Sequence, residues 1–192
     1  MLRSEMPVLL IIDMQKAWDD PRWGRRNNMD AEMNAAKLLK FWRENGLAVA
    51  HCKHDSISPD SPLRPGQVGN EIKEIVAPVE GEIVFHKKVN SCFIGTELEK
   101  WLRDNGHNTL VICGITTQHC VSTTARMAGN LGFSNYVVSD ATAAFEVKNG
   151  NGDYFDPELV HKLSLATIEG EFSEIIDTHT LLDRLRSEVS II

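Results

Sequence analysis

Short apolar runs and longer stretches with helical spacing alternate along the chain. PVLLIID, LAVAHCK, GEIVFHK, NTLVICG, NYVVSD and FSEIIDT have the length of strands and are bounded by turn-forming residues. Between them AEMNAAKLLKFWRENG, ELEKWLRDNG, HCVSTTARMAGNLG and PELVHKLSLATIEG space their apolar residues as helices do. Gly or Asn closes several of these helical stretches, at RENG, RDNG and GNLG, where a left-handed cap belongs. Strands that alternate with helices predict a parallel sheet covered on both faces. VLLII and TLVIC, apolar at nearly every position, fit strands buried on both sides. The pattern predicts an α/β protein with one parallel strand for each of the six runs.

Two stretches fall outside this alternation. HDSISPDSPLRPGQVGNEIKEIVA, from His54 to Ala77, is rich in Pro, Ser and Gly and long for a connection in a compact domain. EVKNGNGDYFDP carries Tyr154 and Phe155 among turn residues. Both are candidate walls of a substrate pocket, and both are equally compatible with plain surface loops.

Composition narrows the function classes. The 192 residues suffice for one core, so a single domain over 1–192 is expected. With 20 basic against 27 acidic residues and no basic tract, the formal charge of -7 argues against nucleic acid or an anionic membrane as partner. A small-molecule substrate is expected instead. The longest apolar runs are too short to span a bilayer, and MLRSEMPVLLIID lacks the features of a secretory leader, so the reading is cytoplasmic. The four cysteines, Cys52, Cys92, Cys113 and Cys120, show no CxxC or dense spacing and are expected as free thiols.

In an open parallel sheet ligands bind beyond the carboxyl ends of the strands. Those ends carry the chemistry here: Asp13 after the first run, His51 to Asp55 after the second, His86, Lys87 and Lys88 after the third, and Gly114 with Cys120 after the fourth. Asp13 follows five apolar residues, so burial should raise its pKa unless a cation holds it charged; as an isolated residue it serves equally well as a helix cap. Cys120 stands near the first turn of a helix, where backbone N–H groups and the helix dipole favour a thiolate and lower the thiol pKa. His119 points away from its neighbour on a helix, which leaves Asp13 as the better base. His51, His54 and Asp55 suggest a metal, but strand residues three apart face opposite sides, so no metal and no cofactor is expected.

VLLIIDMQKAW, HKKVNSCFIGTELEKWLR, LVICGITTQHCVSTTARMAGNLGF and VVSDATAAF, in this order, resemble the isochorismatase-like cysteine hydrolase family. The blocks VNSCFIGTELE and TTARMAGNLGF look closest to the branch that includes streptothricin hydrolases. The resemblance implies a three-layer α/β/α sandwich with a six-stranded parallel sheet in the Rossmann-like order 3-2-1-4-5-6, and a homodimer or homotetramer. It implies catalytic roles for Asp13, Lys87 and Cys120, with Lys87 preferred over Lys88 because it stands six residues before Phe93. It also implies a cis peptide between Ile115 and Thr116 and an oxyanion hole made by the N–H groups of Thr116 and Cys120.

Trp18, Phe93, Phe145 and Phe155 are candidates for an apolar substrate slot, and Gln15, His54 and Asn90 for polar contacts, although each residue type also serves in simple packing. Cys92 stands where many members carry a small Ala, and no role follows for it. The metal-binding pattern of nicotinamidases is not reproduced between Cys52 and Pro62. The expected activity is hydrolysis of a C–N bond in a small amide, lactam or carbamoyl compound through a thioester. The alternatives are an isochorismatase-type vinyl-ether hydrolase and a non-catalytic ligand-binding domain. A nucleotide-binding oxidoreductase is disfavoured, because DMQKAW stands where a GxGxxG turn would.

Overall fold

A computed structural model describes residues 6–189. Residues 1–5 and 190–192, the outer ends of the expected domain and part of the segment read as lacking a leader, lie outside the described residues.

Six strands form one parallel sheet: β1 (Val8–Ile12), β2 (Val49–His54), β3 (Ile83–Lys87), β4 (Thr109–Ile115), β5 (Ser134–Ala143) and, after two short strands, β8 (Glu174–Ile176). Their order is β3-β2-β1-β4-β5-β8, with every neighbouring pair parallel. The α/β fold and the strand order agree with the sequence analysis. The helices are α1 (Ala31–Glu44), α2 (Leu98–Asp104), α3 (Ser122–Asn130), α4 (Pro157–Ala166) and α5 (Thr178–Val189).

Successive side chains of a strand point to opposite faces, and β1 shows how both faces are filled. Val8, Leu10 and Ile12 pack with Leu98 and Leu102 of α2 and Ala125 and Ala128 of α3. Leu9 and Ile11 pack with Leu38, Leu39 and Trp42 of α1 and Leu181 and Leu185 of α5. Each face of the sheet is thus sealed by its own helices, giving three layers. Burial at every position of β1 explains why its sequence is a continuous apolar run.

The two irregular stretches differ from plain loops. Within the first, Asn70 is buried and its side-chain amide donates to the carbonyls of His54 and Leu63 and to Asp55, folding the segment back on the tip of β2. The second forms a small antiparallel hairpin, β6 (Val147–Lys148) with β7 (Tyr154–Phe155). Among the described residues no helix is long and apolar enough to cross a membrane, and all four cysteines are buried and free.

Candidate active site

The parallel order puts the carboxyl ends of β1, β2, β3 and β4 on one rim. Asp13 is the first residue beyond β1 and has φ of +50°, in the left-handed region that Asp tolerates better than most residues. Lys87 ends β3, where strand alternation turns Phe85 and Lys87 inward and leaves His86 and Lys88 exposed. Cys120 lies in a π-helical turn, Thr117–Val121, that leads directly into α3. Gly114 brings β4 against β1: with φ of +143°, a Cβ at that position would stand 2.1 Å from the Ile12 carbonyl oxygen, so only glycine fits. The Ile115–Thr116 peptide that follows is cis.

These residues meet. The Lys87 ammonium donates to Asp13 Oδ2 at 2.6 Å and to Cys120 Sγ at 3.3 Å. It also lies 3.0 Å from His54 Nδ1 and 3.2 Å from the Val89 carbonyl oxygen. Asp13 and Lys87 are fully buried and Cys120 nearly so. Asp13 Oδ1 receives no hydrogen bond from the protein.

The electrostatics follow from this burial. Burial pushes the Asp13 carboxyl above its ordinary range, and Lys87 only partly offsets it. For Lys87 burial opposes the charge, but the Asp13 carboxylate outweighs it and holds the ammonium above the usual lysine value. Burial, then the negative charge of Asp13, pushes the Cys120 thiol up. The expectation of a thiol lowered by a helix N-terminus does not hold, because burial strips water from the thiolate and, after that, a thiolate would be a second anion beside Asp13. At rest the proton belongs on sulfur.

Asp13, His54 and Cys120 bring potential metal-ligand atoms within 4.8 Å of one another. Lys87 Nζ contacts all three, so the centre of this group is held by the chain's own cation. His51 does not join them. It lies within β2 with its ring 3.0 Å from Glu82, while His54, at the strand end, turns toward Lys87. Asp55 accepts from Asn70 and lies 2.9 Å from His86 Nδ1.

A cavity of about 350 Å³ opens above Cys120. Of the residues expected to contact substrate, Trp18, His54, Asn90 and Phe145 line it, as does Thr116 of the expected oxyanion hole. Three others do not. Gln15 is fully buried, its side chain bonded to both the N–H and the carbonyl of His54 and to the carbonyl of Asn70; it clamps the end of β2. Phe93 stacks on Phe133 at 5.8 Å inside the core, and Phe155 stands exposed on the hairpin strand opposite Val147. Trp23, Leu63, Gln118, Glu146 and Val147 line the cavity without having been singled out in the sequence. Trp23, an aromatic residue inside the turn-rich DDPRWGRRNN, offered the clearest signal.

A family model for the isochorismatase domain matches residues 7–180. The chain belongs to the isochorismatase family. Isochorismatase family protein YrdC of Bacillus subtilis (strain 168) is 50% identical over 180 residues, which are 94% of this chain and 96% of that one. The crystal structure of an isochorismatase-family protein from Chromobacterium violaceum ATCC 12472 aligns with a TM-score of 0.92 at 43% identity, covering 97% of this chain and 96% of that one. Maleamate amidohydrolase of Pseudomonas putida is 27% identical over 197 residues, covering 94% of this chain and 87% of that enzyme. Membership of the isochorismatase family makes this chain a hydrolase of that family, with an Asp, a Lys and a Cys gathered on one strand rim.

Proposed function

We propose that this isochorismatase-family hydrolase cleaves the C–N bond of a small amide, lactam or carbamoyl compound through a thioester on Cys120, with Asp13 and Lys87 as its catalytic partners. The observation that carries the reading is the single ammonium of Lys87, which touches both the Asp13 carboxylate and the Cys120 sulfur. A buried carboxylate with a raised pKa is the stronger base, and a free oxygen gives it somewhere to take a proton.

As sulfur attacks the carbonyl carbon, Asp13 accepts the thiol proton and the C–S bond forms. The oxygen of the tetrahedral intermediate takes up the displaced electron pair and is held by the N–H groups of Thr116 and Cys120. Collapse restores the carbonyl and breaks the C–N bond, with the proton on Asp13 passing to the leaving nitrogen. Water then attacks the thioester and Asp13 takes its proton. When the C–S bond breaks, that proton returns to sulfur. The balance is amide plus water giving acid plus amine, and Lys87 stabilises whichever neighbour is negative at each stage.

A panel of amides, lactams, ureas and isochorismate, read by amine or ammonia release and by product mass, tests the reaction class. The expected result is release from a C–N substrate, a thioester-sized mass increase on Cys120 in quenched protein, and loss of turnover in Cys120→Ala. Undiminished hydrolysis by Cys120→Ala, or turnover of isochorismate alone, would overturn the reading.

A further inference from the structure

The walls of the cavity above Cys120 divide by chemistry. Trp18, Trp23 and Phe145 form a three-ring cluster, with centroid separations of 5.0, 5.9 and 6.3 Å, and Leu63 and Val147 extend this apolar side. The rest of the lining includes polar but uncharged groups, the amides of Asn90 and Gln118 and the hydroxyl of Thr116.

The two imidazoles of the lining add no positive charge. Lys87 Nζ can only donate, so the His54 Nδ1 that it meets at 3.0 Å is an acceptor and the ring proton sits on Nε2. Burial and the neighbouring Lys87 charge both lower the His54 pKa, keeping the ring neutral. His119, at the mouth, lies 3.2 Å from the Thr116 hydroxyl, and desolvation by the surrounding protein lowers its pKa as well.

The ionised group that remains is negative. Glu146 stands on the rim, held anionic by Arg25, whose Nε lies 3.1 Å away, and by the Tyr154 hydroxyl. Arg25 is committed to that carboxylate and to the face of the Tyr154 ring. Among the described residues no lysine or arginine lines the cavity. Lys87, the nearest buried cation, is enclosed by protein acceptors. A carboxylate entering this space would shed water and find no cation to pair with, with Glu146 repelling it. An uncharged flat body would lie on the rings with its carbonyl toward Cys120.

We propose that the site selects uncharged amide or carbamoyl compounds carrying a flat apolar body and rejects those carrying a carboxylate. The proposal rests on the amidohydrolase reading for the reacting bond, whereas the discrimination itself is one of binding and is measurable without turnover. Terephthalamide and terephthalamate have the same shape and differ in one group, a neutral amide against a carboxylate. Calorimetric titration of both into the Cys120→Ala protein at neutral pH should show the diamide binding roughly tenfold tighter or more. Val147→Lys, which adds a cation to the wall, should close that gap by strengthening terephthalamate. Equal or tighter binding of terephthalamate, no binding of either compound, or a Val147→Lys protein with an unchanged gap would each overturn the proposal. Selective binding of the diamide, with hydrolysis of neither compound nor of any other amide by the unaltered protein, would sink the amidohydrolase reading and leave the charge selection standing.

Discussion

Glu32 and Asp13 are both carboxylates enclosed by protein and met by cations, yet their pKa values are pushed in opposite directions. Glu32, in the first turn of α1, takes Arg26 on both oxygens at 2.8 and 2.7 Å and Lys73 at 2.8 Å. Burial alone would raise its pKa, but these donors outweigh it and bring the group to about 2. Asp13 has one cation on one oxygen, and its pKa moves up. The difference lies in how completely the lone pairs are claimed. A fully bonded carboxylate is locked as an anion and serves as a fastener between α1 and the loops around it. A partly bonded one keeps a position where a proton can land, as a base requires.

The sharpest way to break this comparison is to exchange each acid for its amide. Asp13→Asn keeps the shape and removes the base, and kcat/KM for the screened substrate should fall by about 10²–10⁴. Catalysis needs Asp13 unprotonated, so activity of the unaltered enzyme should decline as pH falls through a value above the ordinary 3.8, and the residual activity of Asp13→Asn should lack that limb. Glu32→Gln should leave kcat/KM within a few-fold while uncovering the positive charge of Arg26 and leaving Lys73 to its pair with Asp19. Removing one partner of a buried ion pair costs about 3–5 kcal/mol, which for a chain of this size lowers Tm by roughly 6–20 °C. A folded Glu32→Gln protein with abolished turnover would erase the distinction.

A finer test uses pH. The folded pKa of Glu32 lies below the ordinary glutamate value of 4.5, so its stabilisation is complete above that value and lost as pH falls toward about 2. The Tm gap between the unaltered protein and Glu32→Gln should therefore narrow across that window and stay constant above it. The smallest effect is expected at Cys113, a buried thiol raised by desolvation without a base beside it. Cys113→Ala should cost about 1 kcal/mol in stability and leave turnover unchanged, which separates a packing thiol from the one beside Asp13 and Lys87.

Much of this arrangement was legible in the chain. The apolar runs located the strands of the main sheet, and chemistry-bearing residues directly after four of them pointed to one rim. The choice of Lys87 over Lys88 agrees with strand alternation, which turns Phe85 and Lys87 to the same side. What escaped was set by contacts between distant segments. Gln15 reads like a pocket residue until the end of β2 and Asn70 arrive to occupy its amide. Phe93 and Trp23 are both aromatic residues in irregular sequence, and only packing sends the former to Phe133 and the latter to Trp18. The direction of the Cys120 shift depends on how much water the completed fold removes, which helix position alone does not disclose.

The four neighbours of the Lys87 nitrogen have a consequence for how the site ages through a turnover. An ammonium has three hydrogens, so one claimant always goes short. When Asp13 takes up a proton and loses its negative charge, the shortfall can pass to another claimant by a swivel of the terminal group, with no heavy atom displaced. Free and acylated forms of the enzyme should consequently superimpose, the bookkeeping of charge being done by hydrogens too light to register as motion of the frame.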